Sequence, residues 1–421
     1  MTAAPAPRED PIHVPVPHTW LGIAADDPFG PGTLPYGVFS TGDGRPPRVG
    51  VAAGAWVLDL AAAAYAQDAP FAEAVDAPVL DPLMAQGPET WRQVRESLTA
   101  WLTDPAFETA LRPHLVERAS VRMHLPFTVG DYVDFYSSQH HAANLGRILR
   151  PGQPSLPANW KHLPLGYHGR SGTVVVSGTG IARPMGQRKP PSAEDPEFGP
   201  SARLDIEAEV GFVVGVPAPG GGVPVSGFAE HVFGVFLVND WSARDLQAWE
   251  NMPLGPFLGK SFATSVSPWV VPLDALQEAR VAPPERDPAP VEYLRDVPGD
   301  PWGLDLQLEV RINGEPVARP PFAQMYWTPA QQLAHLTVNG ASLRTGDMYA
   351  SGTVSGPEKE QRGSLIELSW NGEEPVELAD GSTRAFLEDG DTVTIAATAR
   401  GPGVSVIGLG EVTGRVLPAQ G

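Results

Sequence analysis

Short apolar runs separated by glycine and proline limit the possible folds of this chain more than any other feature. The chain contains 45 Gly and 47 Pro, and these residues favour turns and interrupt helices. Because long helices rarely alternate with the strand-like runs, a doubly wound parallel sheet is disfavoured. We predict a β-roll or barrel-like domain from about residue 130 onward. The runs that carry this prediction are TVVVSG, VGFVVGV, VFGVFLVND, LQLEVRING, SLIELSW, DTVTIAATA and GLGEVTGRVL.

The amino-terminal part of the chain has a different pattern. Residues 36–60 contain two strand-like runs around a TGDG turn. The following region has large apolar residues at helical spacing. These residues are Trp91, Val94, Leu98, Trp101 and Leu102. We therefore predict that residues 1–120 form a small β module with helices and that residues 121–421 form the β-rich domain.

Charge and composition exclude several functional classes. The chain has 29 Lys and Arg against 49 Asp and Glu, a net charge of −20, which argues against binding to nucleic acid or anionic membranes. No apolar segment is long enough to span a bilayer, and no signal peptide is visible, so we expect a cytoplasmic protein. The chain has no Cys, so any metal would bind to oxygen or imidazole.

The segment from Leu204 to Val210 carries three acids at alternate positions: Asp205, Glu207 and Glu209. On a continuous strand these side chains would share one face. A solvent-exposed acidic face is one interpretation. A site for a hard cation is the other, because Ca²⁺ and Mg²⁺ prefer oxygen ligands and clustered carboxylates repel one another without a cation.

A second segment, DYVDFYSSQHHAANLGRILR, combines carboxylate, phenol, imidazole and guanidinium groups within twenty residues. Asp134, Tyr136 and Arg150 lie in it, with His140 and His141 before a predicted helix. Imidazole is the usual general base near neutral pH. The spacing alone does not distinguish His140 from His141.

Four further positions complete the candidate chemistry. Arg244 and Gln247 are three residues apart, so they would share a helix face. Lys260 lies among glycines and apolar residues, where an ammonium group would stabilise an oxyanion. Glu367 interrupts an apolar run interpreted as a strand, and a partner such as His141 would satisfy it. The chain lacks a Gly-x-Ser-x-Gly nucleophile elbow at these residues, so water is the expected nucleophile.

Taken in order, these segments resemble the fumarylacetoacetate hydrolase family. The resemblance extends over most of residues 130–421, and the amino-terminal part fits as well. It implies a mainly β fold with minor α structure, in which a small SH3-like domain precedes a β-roll catalytic domain. The stretches that carry it are DYVDFYSSQHHAANLG, NWKHLPLGYHGRSGTVVVSG, LDIEAEVGFVVG, VNDWSARDLQAWE, PLGPFLGKSFATSVSPWVVPLDAL, MYWTPAQQLAHLTVNG and SGTVSGPE.

The resemblance also implies roles for individual residues. The implied ligands of a Ca²⁺ or Mg²⁺ ion are Asp134, Glu207, Glu209 and Asp240, with a secondary cation position at Lys260 and Thr264; Asp205 is not among them. The implied catalytic residues are His141 as base, Glu367 orienting it, and Arg244, Gln247 and Lys260 polarising the carbonyl. The implied substrate contacts are Tyr136, Arg150, Tyr167, Arg244, Gln247 and Thr353. Asn251 stands where the family commonly has Tyr, and Gln139-His140 where it often has Arg-Gln.

The implied activity is hydrolysis of the carbon–carbon bond of 4-fumarylacetoacetate, the last step of tyrosine and phenylalanine breakdown. A homodimer acting on a small β-diketo acid is expected, with no nucleic-acid or membrane partner. One alternative is an enzyme of the same superfamily that acts on acylpyruvates or oxaloacetate. Another is a non-catalytic β protein stabilised by a cation, against which the His–Glu pair and Lys260 argue.

Overall fold

The computed structural model describes residues 18–190 and 192–420, and most of its elements are short. Mainly β structure with minor helix is therefore confirmed. The α-helices are α1 Leu60–Ala66, α2 Ala72–Val75, α3 Asp81–Met84, α4 Pro88–Thr103, α5 Glu108–Leu111, α6 Gln139–Leu149, α7 Phe228–His231, α8 Arg244–Glu250, α9 Pro329–Thr337 and α10 Leu365–Leu368. Among the described residues, no helix has the length and apolar character needed to cross a membrane.

The strands are numbered along the chain. They are β1 Tyr36–Ser40, β2 Arg48–Ala53, β3 Trp56–Asp59, β4 Leu115–Glu117, β5 Arg122–His124, β6 Tyr132–Phe135, β7 Gly166–His168, β8 Val174–Val176, β9 Ile181–Ala182, β10 Met185–Arg188, β11 Glu197–Pro200, β12 Leu204–Asp205, β13 Ala208–Val214, β14 Val232–Asp240, β15 Ser242–Ala243, β16 Thr264–Val266, β17 Trp269–Pro272, β18 Arg280–Val281, β19 Gly303–Leu304, β20 Leu306–Ile312, β21 Glu315–Ala318, β22 Met348–Ala350, β23 Val376–Glu377, β24 Thr383–Arg384, β25 Thr392–Arg400 and β26 Val406–Leu417.

The largest sheet connects the amino-terminal module to the rest of the chain. Its main path runs β4-β3-β2-β1-β17-β14-β13-β22-β6-β7, so the pairing of β1 with β17 joins the two parts. Strand β5 lies just beyond residue 120 and pairs with β1. The exact domain boundary stays a prediction. The helix predicted from apolar spacing in the amino-terminal module is confirmed. It is α4, which buries Val94, Leu98, Trp101 and Leu102.

A second sheet, ordered β21-β20-β25-β26-β9, packs against the first. One continuous core contains Phe212 and Leu237 from the first sheet and Leu308, Ile395 and Val412 from the second. Burial of these apolar side chains provides the main driving force for the packing of the two sheets. The packing holds in place the ends of several strands in the interior of the first sheet, and the candidate site lies at these strand ends.

Four neighbouring strands meet at the candidate site, and three of them, β6, β13 and β14, bring acidic residues to it. Strand β13 runs antiparallel to β14 and β22, and β22 runs parallel to β6. The start of β13 therefore lies beside the ends of the other three strands. Asp240 ends β14 and Asp134 lies near the end of β6, while Glu207 directly precedes β13 and Glu209 lies at its start. This topology brings together acids that are more than a hundred residues apart in the sequence.

Two predictions about local structure are wrong. The segment containing Glu367 is the short helix α10 rather than a strand, because the carboxylate of Asp205 binds the first free N–H groups of a helical turn there. The segment from Leu204 to Val210 is not one continuous strand: β12 ends at Asp205 and β13 begins at Ala208. The alternation of faces is interrupted between these strands, which separates Asp205 from the other acids.

Gly211 lies on β13 at a close approach to the core. A Cβ atom there would lie 2.5 Å from the Phe236 ring and 2.8 Å from Val238 Cγ2. We expect Gly211→Ala to lower the free energy of unfolding by about 1–3 kcal/mol through overpacking. Chemical denaturation monitored by fluorescence measures this difference. Gly172→Ala is the control, because a Cβ there meets no atom within 4 Å; equal stability of the two variants would contradict this packing.

Candidate active site

The centre of the candidate site is a cluster of four buried carboxylates. Asp134, Glu207, Glu209 and Asp240 each offer one oxygen, and these oxygens all lie within 4.8 Å of one another. Their exposed fractions range from 0% for Glu209 to 5% for Glu207. The four ligands implied by the family resemblance therefore converge.

Several oxygens of this cluster have no hydrogen-bond partner. Both carboxylate oxygens of Glu209 and Oδ1 of Asp134 are buried and unpaired. Burial and the negative charge of neighbouring carboxylates raise the pKa values of Asp134 and Glu209 well above their usual range. Unpaired buried anions are costly unless a cation compensates them. An all-carboxylate set of this kind fits a hard divalent ion such as Ca²⁺ or Mg²⁺.

Lys260 supplies positive charge at one side of the cluster. Its Nζ donates to Glu207 Oε2 at 2.6 Å and to Asp240 Oδ2 at 2.7 Å. Thr264 Oγ1 donates to the other oxygen of Asp240 at 2.9 Å, and the Tyr167 hydroxyl lies 3.2 Å from Asp240 Oδ2. Although burial would lower the pKa of Lys260, attraction to Asp240 and Glu207 raises it overall. Lys260 is therefore a protonated, fixed ammonium group.

His141 lies beside the cluster and is held by Glu367. Its Nδ1 is 2.7 Å from Glu367 Oε2, and its Nε2 is 3.9 Å from Glu207 Oε1. Because a carboxylate only accepts, Nδ1 carries the proton and Nε2 presents its lone pair. The predicted His141–Glu367 contact is therefore present. His140 is half-exposed and makes no such contact with the carboxylate.

Glu367 is itself fixed by three side chains that the sequence interpretation missed. Asn144 Nδ2 donates to Oε1 at 2.9 Å, and the hydroxyls of Ser355 and Ser364 donate to Oε2 at 2.9 and 2.8 Å. Burial alone would raise the pKa of Glu367, but His141 and these donors lower it below its usual value. Asn144 follows His141 by three residues on α6, so helical spacing predicts a shared face.

Arg244 and Gln247 form the opposite side of the site. Arg244 Nη2 lies 2.8 Å from Glu207 Oε1, and its Nη1 donates to Gln247 Oε1 at 3.2 Å. The predicted shared helix face on α8 is thus confirmed. Asp205 is not part of the acid cluster, which corrects the expectation from strand alternation. Its carboxylate instead accepts from Arg244 Nε at 2.7 Å.

A cavity of about 560 Å³ opens onto this arrangement. Asp134 and Glu207 line it, whereas Glu209 and Glu367 do not. Asp240 and Thr264 line a smaller neighbouring cavity of about 160 Å³, to which Tyr167 and Lys260 also contribute. Thr353 Oγ1 is buried there without a partner, and Arg150 is exposed at the rim. The predicted catalytic and substrate residues that line the cavity are Tyr136, His141, Arg150, Tyr167, Arg244, Gln247, Lys260 and Thr353, and Asn251 lines it as well.

Comparison with known families agrees with this geometry. Residues 132–417 match the family described as fumarylacetoacetate (FAA) hydrolase C-terminal, and residues 32–126 match fumarylacetoacetase N-terminal. The chain belongs to the fumarylacetoacetate hydrolase family. The predicted recognition is confirmed, and the two matched regions fit an amino-terminal module followed by a catalytic domain. Curated members that match nearly the whole chain are hydrolases, so this chain is an enzyme of that class.

Curated relatives extend over nearly the whole chain. Fumarylacetoacetase of Homo sapiens is 47% identical, and the alignment covers 95% of this chain and 99% of that protein. Fumarylacetoacetase of Caenorhabditis elegans is 45% identical, covering 96% of this chain and 99% of that protein. A solved structure of fumarylacetoacetate hydrolase from Exiguobacterium antarcticum has a TM-score of 0.54 at 18% identity, covering 92% of this chain and all of that one. This structural similarity supports the fold.

Glu209→Gln is expected to stabilise the metal-free protein. When the pKa of a carboxyl group is higher in the folded than in the unfolded state, the free energy of unfolding falls as the pH rises above the unfolded-state pKa, which is about 4.3 for Glu. The variant lacks this loss, so its advantage in melting temperature over the wild type should grow from about pH 5 to about pH 8. Calorimetry in EDTA measures this difference.

The control for that experiment is Glu377→Gln, since Glu377 is exposed on β23. Its melting temperature should follow that of the wild type at both pH values. Addition of Ca²⁺ or Mg²⁺ should raise the melting temperature of the wild type more than that of Glu209→Gln, because only the wild type keeps all four carboxylates. If the difference in melting temperature between Glu209→Gln and the wild type did not change with pH, this result would contradict electrostatic repulsion among the four carboxylates.

Proposed function

We propose that this enzyme hydrolyses 4-fumarylacetoacetate to fumarate and acetoacetate. The observation that carries this proposal is the His141–Glu367 pair beside four buried carboxylates. Of these residues, His141, Asp134 and Glu207 line one cavity. Curated fumarylacetoacetases that match almost the whole chain support the same reaction. Tyrosine and phenylalanine breakdown as the pathway and the cytoplasm as the compartment remain predictions.

A divalent cation is part of this proposal. Asp134, Glu207, Glu209 and Asp240 would hold Ca²⁺ or Mg²⁺, and their unpaired oxygens support this assignment. When bound there, such an ion supplies Lewis acidity and a template for the oxygens of a β-diketone. The secondary cation position at Lys260 and Thr264 also remains a prediction, and the ammonium group of Lys260 is no ligand itself.

His141 is the proposed general base. The Glu367 carboxylate holds the Nδ1 proton, so Nε2 accepts a proton from water at the face of the cavity. The remaining hydroxide oxygen bonds to the carbonyl carbon of the fumaryl group. The bond between that carbon and the acetoacetate carbon then breaks, and its electron pair stays with acetoacetate. The leaving carbanion takes up a proton, which completes the two acids.

Lys260 and Arg244 are the proposed stabilisers of developing negative charge. Both are buried and held in place by carboxylates, so they need little reorganisation during the reaction. Gln247 accepts from Arg244, which leaves its amide group free to donate to a substrate oxygen. These three residues all line the cavity.

The proposed substrate contacts line the same cavity. The Tyr167 hydroxyl donates to Asp240, Thr353 Oγ1 is buried without a partner, and the Tyr136 ring packs edge-on against the His141 ring with centroids 5.3 Å apart. Arg150 lies exposed at the rim, where its guanidinium suits a bidentate contact with a substrate carboxylate. The substrate is a dicarboxylate, so a cation at the rim matches its charge.

A homodimer is also proposed. Large apolar side chains are exposed on the segment after α8, where Met252 is 80%, Leu254 96% and Phe257 61% exposed. Clustered apolar exposure of this kind is typical of a surface that associates with another protein. A second copy of the chain is the proposed occupant.

His141→Ala is expected to lower kcat by about 10²–10⁴-fold, because the general base is lost. The affinity for Ca²⁺ or Mg²⁺ should change little, since His141 is not one of the clustered carboxylates. Loss of substrate absorbance measures turnover, and calorimetric titration measures metal affinity. His140→Ala is the matched control and should retain activity. Normal turnover by His141→Ala would show that the base is misassigned.

Substrate choice separates the proposed reaction from that of other superfamily members. We expect kcat/KM for 4-fumarylacetoacetate to exceed that for acylpyruvates and oxaloacetate. Arg150 would hold a second carboxylate that simple acylpyruvates lack, and a cavity of about 560 Å³ is large for the four-carbon oxaloacetate. Parallel assays with each compound, with Ca²⁺ or Mg²⁺ present, measure the ratio. A higher kcat/KM for an acylpyruvate would replace the proposed activity by that alternative.

A further inference from the structure

Asp205 is a buried carboxylate that the proposed reaction does not use. Its exposed fraction is 0%, and it is not one of the four clustered acids. It lies on β12, which pairs with β15 so that Asp205 is opposite Ser242, two residues before Arg244. A fully buried carboxylate at this position needs partners, and all of them belong to segments that carry catalytic groups or lead directly to them.

The first partner of Asp205 is Arg244. Its Nε donates to Asp205 Oδ2 at 2.7 Å, while Nη1 and Nη2 of the same guanidinium face Gln247 and Glu207. A guanidinium is planar and rigid, so fixing Nε fixes the direction of both terminal nitrogens. Asp205 therefore determines how Arg244 is presented to the cavity.

The second set of partners lies at the start of α10. Asp205 Oδ1 accepts from the backbone N–H of Leu365 at 2.7 Å, and Oδ2 accepts from that of Ile366 at 3.2 Å. The first N–H groups of a helix have no partner within the helix and need an acceptor from elsewhere. Ser364 precedes α10, but its hydroxyl donates to Glu367 Oε2 instead of capping the helix. Asp205 thus performs the capping, and α10 carries Glu367.

We propose that Asp205 is a positioning residue that holds two parts of the catalytic machinery in one geometry. One part is Arg244, the proposed stabiliser of negative charge. The other is α10, whose Glu367 orients the base His141. The inference rests on the proposed function and adds to it a single carboxylate that links charge stabilisation to base orientation.

Asp205→Asn separates the two roles of this carboxylate while keeping its shape. An amide has one oxygen, so it accepts from Arg244 or from α10, and its NH₂ group faces a donor on the other side. We expect kcat and kcat/KM to fall together by about 10- to 100-fold, as for other residues that orient catalytic groups. Substrate binding should change less, because Asp205 does not line the cavity.

A double-mutant cycle distinguishes positioning from general stability. Arg244→Gln alone should lower kcat by about 10²–10³-fold. Because Asp205 also acts through α10, the variant carrying both Asp205→Asn and Arg244→Gln should lose less kcat than the product of the two single losses. The combination of Asp205→Asn with Glu367→Gln should be similarly non-additive. If Asp205 were purely structural, the kcat losses of the two single variants would multiply in the double variant.

Asp391→Asn is the matched control. Asp391 is also buried, at 3% exposure, and it binds Arg384 Nε at 2.8 Å and the backbone N–H of Glu388 at 2.8 Å. It lies next to β25 in the second sheet and is outside the catalytic cavity. Its amide variant should lower the melting temperature and leave kcat/KM unchanged. All variants are assayed as purified full-length protein with Ca²⁺ or Mg²⁺.

These experiments distinguish a failure of the positioning role of Asp205 from a failure of the proposed function. A wild-type protein without turnover of 4-fumarylacetoacetate would refute the activity itself. With an active wild type, wild-type kcat in Asp205→Asn, or multiplicative losses in both cycles, would overturn the positioning role. Asp205→Ser is tested in parallel, in case the amide fits poorly. Failure of both Asp205 variants to fold would assign Asp205 to the fold alone and would also overturn the proposal.

Discussion

Electrostatic repulsion among four buried carboxylates is the constraint on which the rest of this structure depends. Oxygens of Asp134, Glu207, Glu209 and Asp240 approach within 4.8 Å of one another in an environment of low dielectric constant, where like charges repel strongly. Lys260 compensates two of them and leaves both oxygens of Glu209 unpaired. This buried acidic cluster therefore suits a metal ion, and the extensive buried core provides the stability that keeps the cluster assembled.

The chemistry follows from what surrounds this cluster. On one side, Glu367 and its donors hold His141 in the tautomer that leaves Nε2 free. On the other side, Arg244 and Lys260 are fixed as permanent cations. An imidazole and two cations thus line one cavity, an arrangement that suits the proposed hydrolysis of an activated ketone by water.

The sequence predicted the parts of this arrangement that depend on local periodicity or on long recognisable segments. Arg244 and Gln247 share a face because helical spacing places them there, and the buried residues of α4 follow the same rule. The short strands were predicted because their apolar runs and turn residues agree. The resemblance of the longer segments to a known family indicated which acids would meet, although these acids lie on three separate segments.

Contacts between distant segments limited the remaining predictions. Glu367 was assigned to a strand because its apolar neighbours suit one, whereas the Asp205 carboxylate caps a helical turn there from 160 residues away. Asp205 itself was grouped with Glu207 and Glu209, because an interruption between two short strands leaves no mark in an alternating pattern. Ser355 and Ser364 were missed as donors to Glu367 because turn residues of this kind are common in the chain.

The most direct measurement of the central claim is anomalous X-ray diffraction from crystals of the protein soaked in Mn²⁺. Manganese binds oxygen ligands like those of Ca²⁺ and Mg²⁺ and scatters anomalously, so its position is read without bias. The account predicts a strong peak within about 2.5 Å of oxygens from Asp134, Glu207, Glu209 and Asp240, on the side of the cavity that His141 faces. A map with no peak among these carboxylates at saturating Mn²⁺ would contradict it.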